Sequence, residues 1–269
     1  MPDPLHRRPT LATIDLDALA FNLRAAREFC GSELKCMAIV KADAYGHGAV
    51  ECSRRLEAEG IDWLGVAIVE EAIELRQAGI SVPILILGSF WPGQERAIVD
   101  WNLTPVIYSS EQAFLLESAA ALAGKVVDYH VKIDTGMGRI GVPYRETDAL
   151  ANKLSAAKSI RLDGLMTHFA VADDLEQLDF TNEQIDRFDH VVQKFRDLGF
   201  DPTHFDLANS PGAIAHPRSR RTMVRLGGIL YGLGGDVLPG GIDKPVLRPV
   251  LSLRSSIAYL KTVAAGETI

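Results

Sequence analysis

A lysine that closes an apolar run is the first residue whose chemistry stands out. Lys41 ends the stretch from Cys36 and is followed by Ala42-Asp43-Ala44-Tyr45-Gly46-His47-Gly48. At the C-terminal mouth of a barrel strand such a lysine is partly buried. Burial disfavours the charged form, and the neutral amine is a nucleophile that can form a Schiff base with a carbonyl. The plain alternative is a strand-end lysine reaching solvent. His168 closes another apolar run, where a histidine is more often a satisfied structural residue than a catalyst. Gly136-x-Gly138-x-x-Gly141 satisfies the dinucleotide-binding pattern after a predicted strand, with Asp163 further on. Pro143 and the central place of this stretch argue against an opening nucleotide-binding turn, and a nicotinamide site leaves the segment after Lys41 unexplained. Neither a His-Glu-x-x-His pattern nor paired cysteine spacing occurs, so no metal site is expected.

Strand-end groups of this kind need a scaffold that gathers strand ends. From Asp15 onward, short β-rich apolar runs alternate with longer amphipathic segments. The runs are Cys36 to Lys41, Trp63 to Ile68, Pro83 to Leu87, Thr104 to Ser109, Asp128 to Asp134, Arg161 to His168, His204 to Leu207 and Thr222 to Leu226. Most are continuous rather than alternating, as expected of parallel strands covered on both faces. Between them Glu70 to Ala78, Glu111 to Ala123 and Asn182 to Leu198 carry helical periodicity, with Gly79, Gly124 and Gly199 at the expected C-terminal caps. The pattern predicts an α/β chain folded as a (β/α)8 TIM-type barrel, for which ~250 residues is usual. A doubly wound sheet is the alternative that periodicity leaves open. After Tyr231 the glycines and prolines of the stretch to Pro245 read as a linker. The expected organisation is a barrel over 1–235, then a linker and the first strands of an incomplete β domain over 236–269, with strand-like patterning from Pro249 to Val263.

Composition bounds the function classes. The 269 residues carry 28 basic and 35 acidic side chains, a net charge of −7, which argues against nucleic acid as a partner. Cys30, Cys36 and Cys52 form no Cys-x-x-Cys pair and fit a reducing, cytoplasmic setting. Met1 to Thr10 is followed by no apolar stretch of the secretory kind, and nothing approaches the ~18 apolar residues of a membrane span.

The octapeptide Lys41 to Gly48 resembles, residue for residue, the cofactor-lysine motif of alanine racemases. The resemblance extends in family order through Thr13-Ile14-Asp15-Leu16-Asp17-Ala18 with Asn22, Lys132 to Gly141, Thr167-His168-Phe169-Ala170, Leu207-Ala208-Asn209-Ser210 and Val224-Arg225-Leu226-Gly227. It implies pyridoxal 5'-phosphate as cofactor, alanine as substrate, interconversion of L- and D-alanine for peptidoglycan, and a homodimeric parent enzyme. Lys41 would then hold the cofactor covalently and serve as one of two acid/base groups. Tyr45, Asn209, Ser210 and the amides around Gly227, Gly228 and Ile229 would hold the phosphate. Asn209 or Ser210, just before Pro211, could equally cap a helix. Arg225 would face the pyridine nitrogen, His168 would lie beside the ring linked to Arg225, and Leu87 would line the pocket. Arg139 would contact the cofactor phenolate and the substrate carboxylate side, which makes it the substrate-binding and third catalytic candidate beside Lys41 and His168. Lys132 stands where many relatives carry a carbamylated lysine; an unmodified lysine paired with Asp134 or another acid is the plain reading.

Racemisation needs a proton group on each face of the reacting carbon. In alanine racemases the partner of the lysine is a tyrosine of the C-terminal β domain, supplied by the second subunit. None of Tyr45, Tyr108, Tyr129, Tyr144, Tyr231 or Tyr259 stands in that motif, so no residue here takes that role. A shortened racemase, weak or inactive alone and with Leu251, Leu253 and Ile257 unpaired, is the expectation. A barrel-only pyridoxal-phosphate-binding protein of cofactor homeostasis and a broad-specificity amino-acid racemase remain the alternatives.

Overall fold

The computed structural model describes residues 8–268; Met1–Arg7, on which the reading of the N-terminus rests, and Ile269 lie outside the described residues. Among the described residues eleven strands occur: β1 (Leu11–Ile14), β2 (Lys35–Ile39), β3 (Trp63–Val66), β4 (Ile84–Ile86), β5 (Thr104–Ile107), β6 (Val127–Asp134), β7 (Val142–Pro143), β8 (Ile160–Met166), β9 (His204–Asp206), β10 (Met223–Leu226) and β11 (Leu251–Arg254). The eight apolar runs read from the sequence are β2–β6 and β8–β10, each trimmed by a residue or more at its C-terminal end in most cases. The trimmed ends carry the side chains that face the mouth. These strands pair in parallel in chain order, and β10 returns to pair with β2. Between β9 and β10, Arg225 donates its amide to the Ala208 carbonyl at 2.9 Å and Thr222 to the Phe205 carbonyl at 3.4 Å. The sheet therefore closes, which decides for the barrel over the doubly wound sheet.

Inward and outward residues alternate along the strands. Cys36, Ala38 and Val40 of the β2 run, Tyr129, Val131 and Ile133 of β6, and Val224 and Leu226 of β10 belong to the large apolar layer between barrel and helices. Met37, Ile39, Trp63, Leu85, Val106, Met166 and Met223 form a separate cluster inside the barrel. Below it, Trp63 packs against His130 and His204, whose Nε2 atoms lie 3.5 and 3.6 Å from Asp163. The interior is thus filled from below, and the open space lies at the C-terminal mouth.

The first helix, Leu16–Cys30, shows why the outer layer forms. Leu19, Leu23, Ala26 and Cys30 recur three or four apart and are buried. Asp15 caps it by accepting the Ala18 amide at 2.9 Å, worth about 1 kcal/mol, and Gly31 ends it at φ 117°. On the same helix the fully buried Asn22 donates to the carbonyls of Leu230 and Arg248 and accepts the Arg248 amide. Val250 donates to the Tyr231 carbonyl at 3.3 Å, and the Tyr231 hydroxyl donates to the Ile39 carbonyl at 2.8 Å.

The stretch after Tyr231 is not extended: Gly234–Val237 makes a helical turn, and Leu238 and Val250 are buried against the barrel. Of the strand patterning from Pro249 to Val263 only β11 forms, paired antiparallel with β1 from Leu11 opposite Arg254 to Ile14 opposite Leu251. Leu251 and Leu253 of β11 are 40% and 70% exposed, so this two-stranded sheet presents apolar side chains to solvent, as does Ile257 beyond it. Among the described residues no helix is long and apolar enough to cross a membrane, and no cluster of three or more His, Cys, Asp or Glu side chains could hold a metal ion. All three cysteines are free and buried.

Candidate active site

Two residues beyond the interior cluster, the same inward faces turn polar. The β2 series Met37, Ile39 continues to Lys41; β4 continues from Leu85 to Leu87; His130 on β6 is followed by Lys132; Met166 on β8 by His168; and Met223 on β10 by Arg225 and Gly227. These side chains line one cavity of about 340 Å3 at the mouth, within the ~300–1,000 Å3 usual for small-molecule sites. Tyr45, Arg139, Asn209, Ser210 and Gly228 also line it, together with Ile39, Ala67, Gly88, Ile140, Met166, Pro211 and Val237. Every residue that the resemblance assigns to the cofactor or substrate is here except Ile229, whose side chain is fully buried.

The cavity is cationic. Lys41, Lys132, Arg139 and Arg225 face it, and no carboxylate lines it. Burial lowers the Lys41 amine below its ordinary value; Arg139 and Arg225 push the same way, and Glu71 opposes them. Lys132 is nearly sealed off and is lowered further, to about 7, by burial and then by Arg225 and Arg139. Its Nζ donates to the Leu87 carbonyl at 3.0 Å. The pairing of Lys132 with Asp134 does not form: the Asp134 carboxylate turns away to accept the amides of Gly136 and Gly138. That contact also disposes of the dinucleotide pattern, because the loop's donors are taken by its own carboxylate and the loop leads into the two-residue strand β7, not a helix.

Arg225 is buried at the centre. Its Nη1 pairs with the fully buried Asp206 carboxylate, and its Nη2 donates to the carbonyls of Thr167 and Leu207 and to Nδ1 of His168. Asp206 leaves Oδ2 without a hydrogen-bond partner among the described residues. The sequence reading missed Asp206, although an acid inside the apolar run His204 to Leu207 demands a buried cation nearby.

On the opposite side Asn209 Oδ1 accepts the Gly212 amide at 3.0 Å, capping the turn Ser210–Ala215, while Ser210 Oγ accepts the Gly227 amide at 3.0 Å. Both polar side chains thus hold backbone and still line the cavity. The Gly227 amide is occupied, leaving the Ser210 hydroxyl proton and the amides that open the turn Gly228–Tyr231 as donors. A Cβ on Gly227 would stand 3.1 Å from the Tyr45 hydroxyl, and one on Gly228 would stand 2.9 Å from Val237. The backbone here must approach its neighbours closely.

The segment carrying Tyr45 is unusual. Ala42, Asp43, Ala44 and Tyr45 all have left-handed backbone, φ 51° to 54°, and none is glycine. Each such residue costs about 1–2 kcal/mol, so the surrounding structure must hold them. The turn delivers Tyr45 to the same cavity as Lys41, at the Gly227 end. Of six tyrosines Tyr45 alone lines the cavity, and burial raises its hydroxyl above the ordinary value.

Residues 14–234 match the alanine racemase N-terminal domain. The chain belongs to the alanine racemase family. It is 42% identical over 270 residues to the alanine racemase of Geobacter sulfurreducens, covering 97% of this chain and 69% of that protein. The match to the alanine racemase of Halothermothrix orenii is 42% over 264 residues, with 97% and 68% covered. Among solved structures, the alanine racemase of Clostridium difficile 630 in complex with cycloserine superposes with a TM-score of 0.88 at 36% identity, over 94% of this chain and 70% of that one. The Bacillus anthracis alanine racemase with bound L-Ala-P gives 0.84 at 32% identity, over 98% and 68%. The chain therefore spans about 70% of the length of these alanine racemases and contains the barrel they share.

Proposed function

We propose that this barrel builds the lysine-bearing half of an alanine racemase site, with pyridoxal 5'-phosphate as cofactor and alanine as substrate. The observation that carries the reading is the cationic cavity in which a partly buried Lys41 faces Arg225, Arg139 and the Ser210–Gly228 wall. The donor set fits the cofactor: an amine of lowered basicity for its aldehyde, hydroxyls and turn-opening amides for its phosphate, and a donor-only guanidinium for its ring.

When bound, pyridoxal phosphate withdraws electrons from an amino acid joined to it and so acidifies the α-hydrogen. The remaining work falls to the protein. Lys41 Nζ is neutral over more of the pH range than an ordinary lysine and can take a proton on one face and return it. A guanidinium only donates, so Arg225 can offer a hydrogen bond to a ring nitrogen, which favours return of a proton to Cα over side reactions. Asp206 and His168 hold that guanidinium in place. Tyr45 and Ser210 would hold the phosphate and Leu87 would pack beside the ring. Arg139, which lines the cavity from the loop after β6, would meet the substrate carboxylate. Lys132, with an amine lowered to about 7, has the neutral form that carbamylation requires.

Of the other titratable side chains in the lining, Tyr45 is read as a phosphate ligand, His168 is bound to Arg225 and Lys132 to the Leu87 carbonyl, so none is assigned as the second acid/base group. These residues alone should therefore racemise alanine roughly 10²–10⁴-fold more slowly than a site with both groups. The domain division proposed is a cofactor barrel to residue 235 followed by the opening of a second, β-rich unit that would be shared in a homodimer.

The test is borohydride reduction of the purified protein with pyridoxal phosphate, followed by peptide mapping. The expected result is a single reduced adduct on Lys41 and, in a separate unreduced sample, slow conversion of L-alanine. An adduct elsewhere, or none on folded protein, overturns the reading. An adduct on Lys41 with no conversion at all would favour a cofactor-binding role.

A further inference from the structure

The left-handed turn after Lys41 is held by several sets of contacts, the His47 amide and ring Nδ1 on the Ala44 carbonyl at 3.1 and 3.0 Å among them. The Ala44 amide donates to the Val40 carbonyl at 2.9 Å. Asp43 accepts the Ala49 amide on Oδ1 at 2.6 Å and the Gly48 amide on its carbonyl at 3.0 Å. These contacts lie within the segment. One more comes from the next β/α unit: Glu71 accepts the Ala42 amide on Oε1 at 2.7 Å.

Glu71 lies in the first turn of the helix Val69–Gln77 that follows β3. Its other oxygen, Oε2, accepts the amides of Ala67 at 2.6 Å and Ile68 at 3.3 Å. A helix-capping role explains the Oε2 contacts, since an acid in the third helical position commonly accepts the cap amide. It does not explain Oε1, which reaches out of the helix to the residue directly after Lys41. One carboxylate thus pins two adjacent strand ends, and the pinned segment has little intrinsic reason to keep its conformation.

We propose that Glu71 is a positioning residue for Lys41: by locking the left-handed turn 42–45 to the neighbouring strand end, it fixes where the lysine amine and the Tyr45 hydroxyl meet the cofactor. The inference rests on the reading of Lys41 as the cofactor lysine. Glu71 also has an electrostatic part. The groups facing the Lys41 amine are Arg139 and Lys132 from the β6 side, Arg225 from β10, His168 after β8, Tyr45 on its own turn, and Glu71. Glu71 is the one carboxylate that favours the charged amine against the arginines. Removing its charge should release the amine at lower pH.

Glu71→Gln and Glu71→Ala should be compared with wild type and with Glu74→Gln, a change on the exposed face of the same helix. The readouts are amide hydrogen exchange of residues 41–49 without cofactor, and the rate of Lys41 labelling by pyridoxal phosphate and borohydride across pH. Loss of a hydrogen bond to a charged group predicts roughly 10-fold faster exchange at 42–45 and roughly 10-fold slower labelling at saturating pH in both Glu71 variants. Their labelling midpoint should move to lower pH, with Glu74→Gln unchanged. Glu71 variants that label at the wild-type rate and midpoint overturn the proposal. So does a fall in melting temperature with unchanged exchange and midpoint, which is what a simple helix cap would give. If wild-type Lys41 takes no cofactor, the reading of the site falls and this proposal falls with it.

Discussion

The Arg225 guanidinium stands 3.1 Å from Nδ1 of His168. Because an arginine can only donate, Nδ1 must accept, and the single ring proton of His168 sits on Nε2. Burial, then Arg225 and Arg139, press the histidine down to about 2, so the ring is neutral across the neutral pH range. Nitrogen-15 NMR of selectively labelled protein should show the Nε2–H tautomer with no titration between pH 5 and 9. The rate profile should contain no inflection from His168, and an imidazolium signal near pH 6.5 would contradict the arrangement.

Lys41→Ala removes the proposed nucleophile and proton carrier without touching the core. It should abolish the borohydride-trapped adduct and reduce alanine conversion by at least about 10²-fold. The melting temperature should hold, since the side chain is only partly buried. Residual labelling at another lysine would mean that the amine has been misassigned.

Lys132 links the site to stability through pH. Its folded value of about 7 lies below the ordinary 10.5, so between these values the unfolded chain binds more protons than the native one. Stability from this group therefore rises as pH increases from about 7 toward 10 and is lost on the acid side of that window. Urea unfolding of wild type minus Lys132→Met, measured across this range, should show that positive slope. Equal slopes in the two proteins would show that the amine titrates normally.

The same inward-facing series explains what could be read from the sequence and what could not. The eight barrel strands were legible because apolar runs and helical periods are local. Lys41, His168 and Arg225 were singled out because their surrounding residues resemble a known family, and all three line one cavity. Asp206 and Met166 were passed over because continuous apolar runs hide which residues face inward; counting by two along β8 and β9 from the mouth would have found both. The left-handed turn could not be read at all. Ala42-Asp43-Ala44-Tyr45 contains no glycine and locally favours a right-handed helix, so its conformation is imposed by contacts distant in sequence, Glu71 among them.

The Arg225–Asp206 pair carries a strong asymmetry. Arg225→Ala leaves a fully buried carboxylate without its cation and should cost about 3–5 kcal/mol, with loss of cofactor binding. The double variant Arg225→Leu with Asp206→Leu should recover much of the stability and none of the binding. Chemical denaturation together with cofactor titration separates the two effects; recovery of binding in the double variant would remove Arg225 from the site.

Tyr231 ties two parts of the molecule together. Its carbonyl is held by Val250, next to β11, and its hydroxyl grips Ile39, two positions before Lys41. One aromatic residue thus bridges the segment that leads into the outer two-stranded sheet and the strand that ends at Lys41, beside the Asp15 and Asn22 contacts that anchor the same segment.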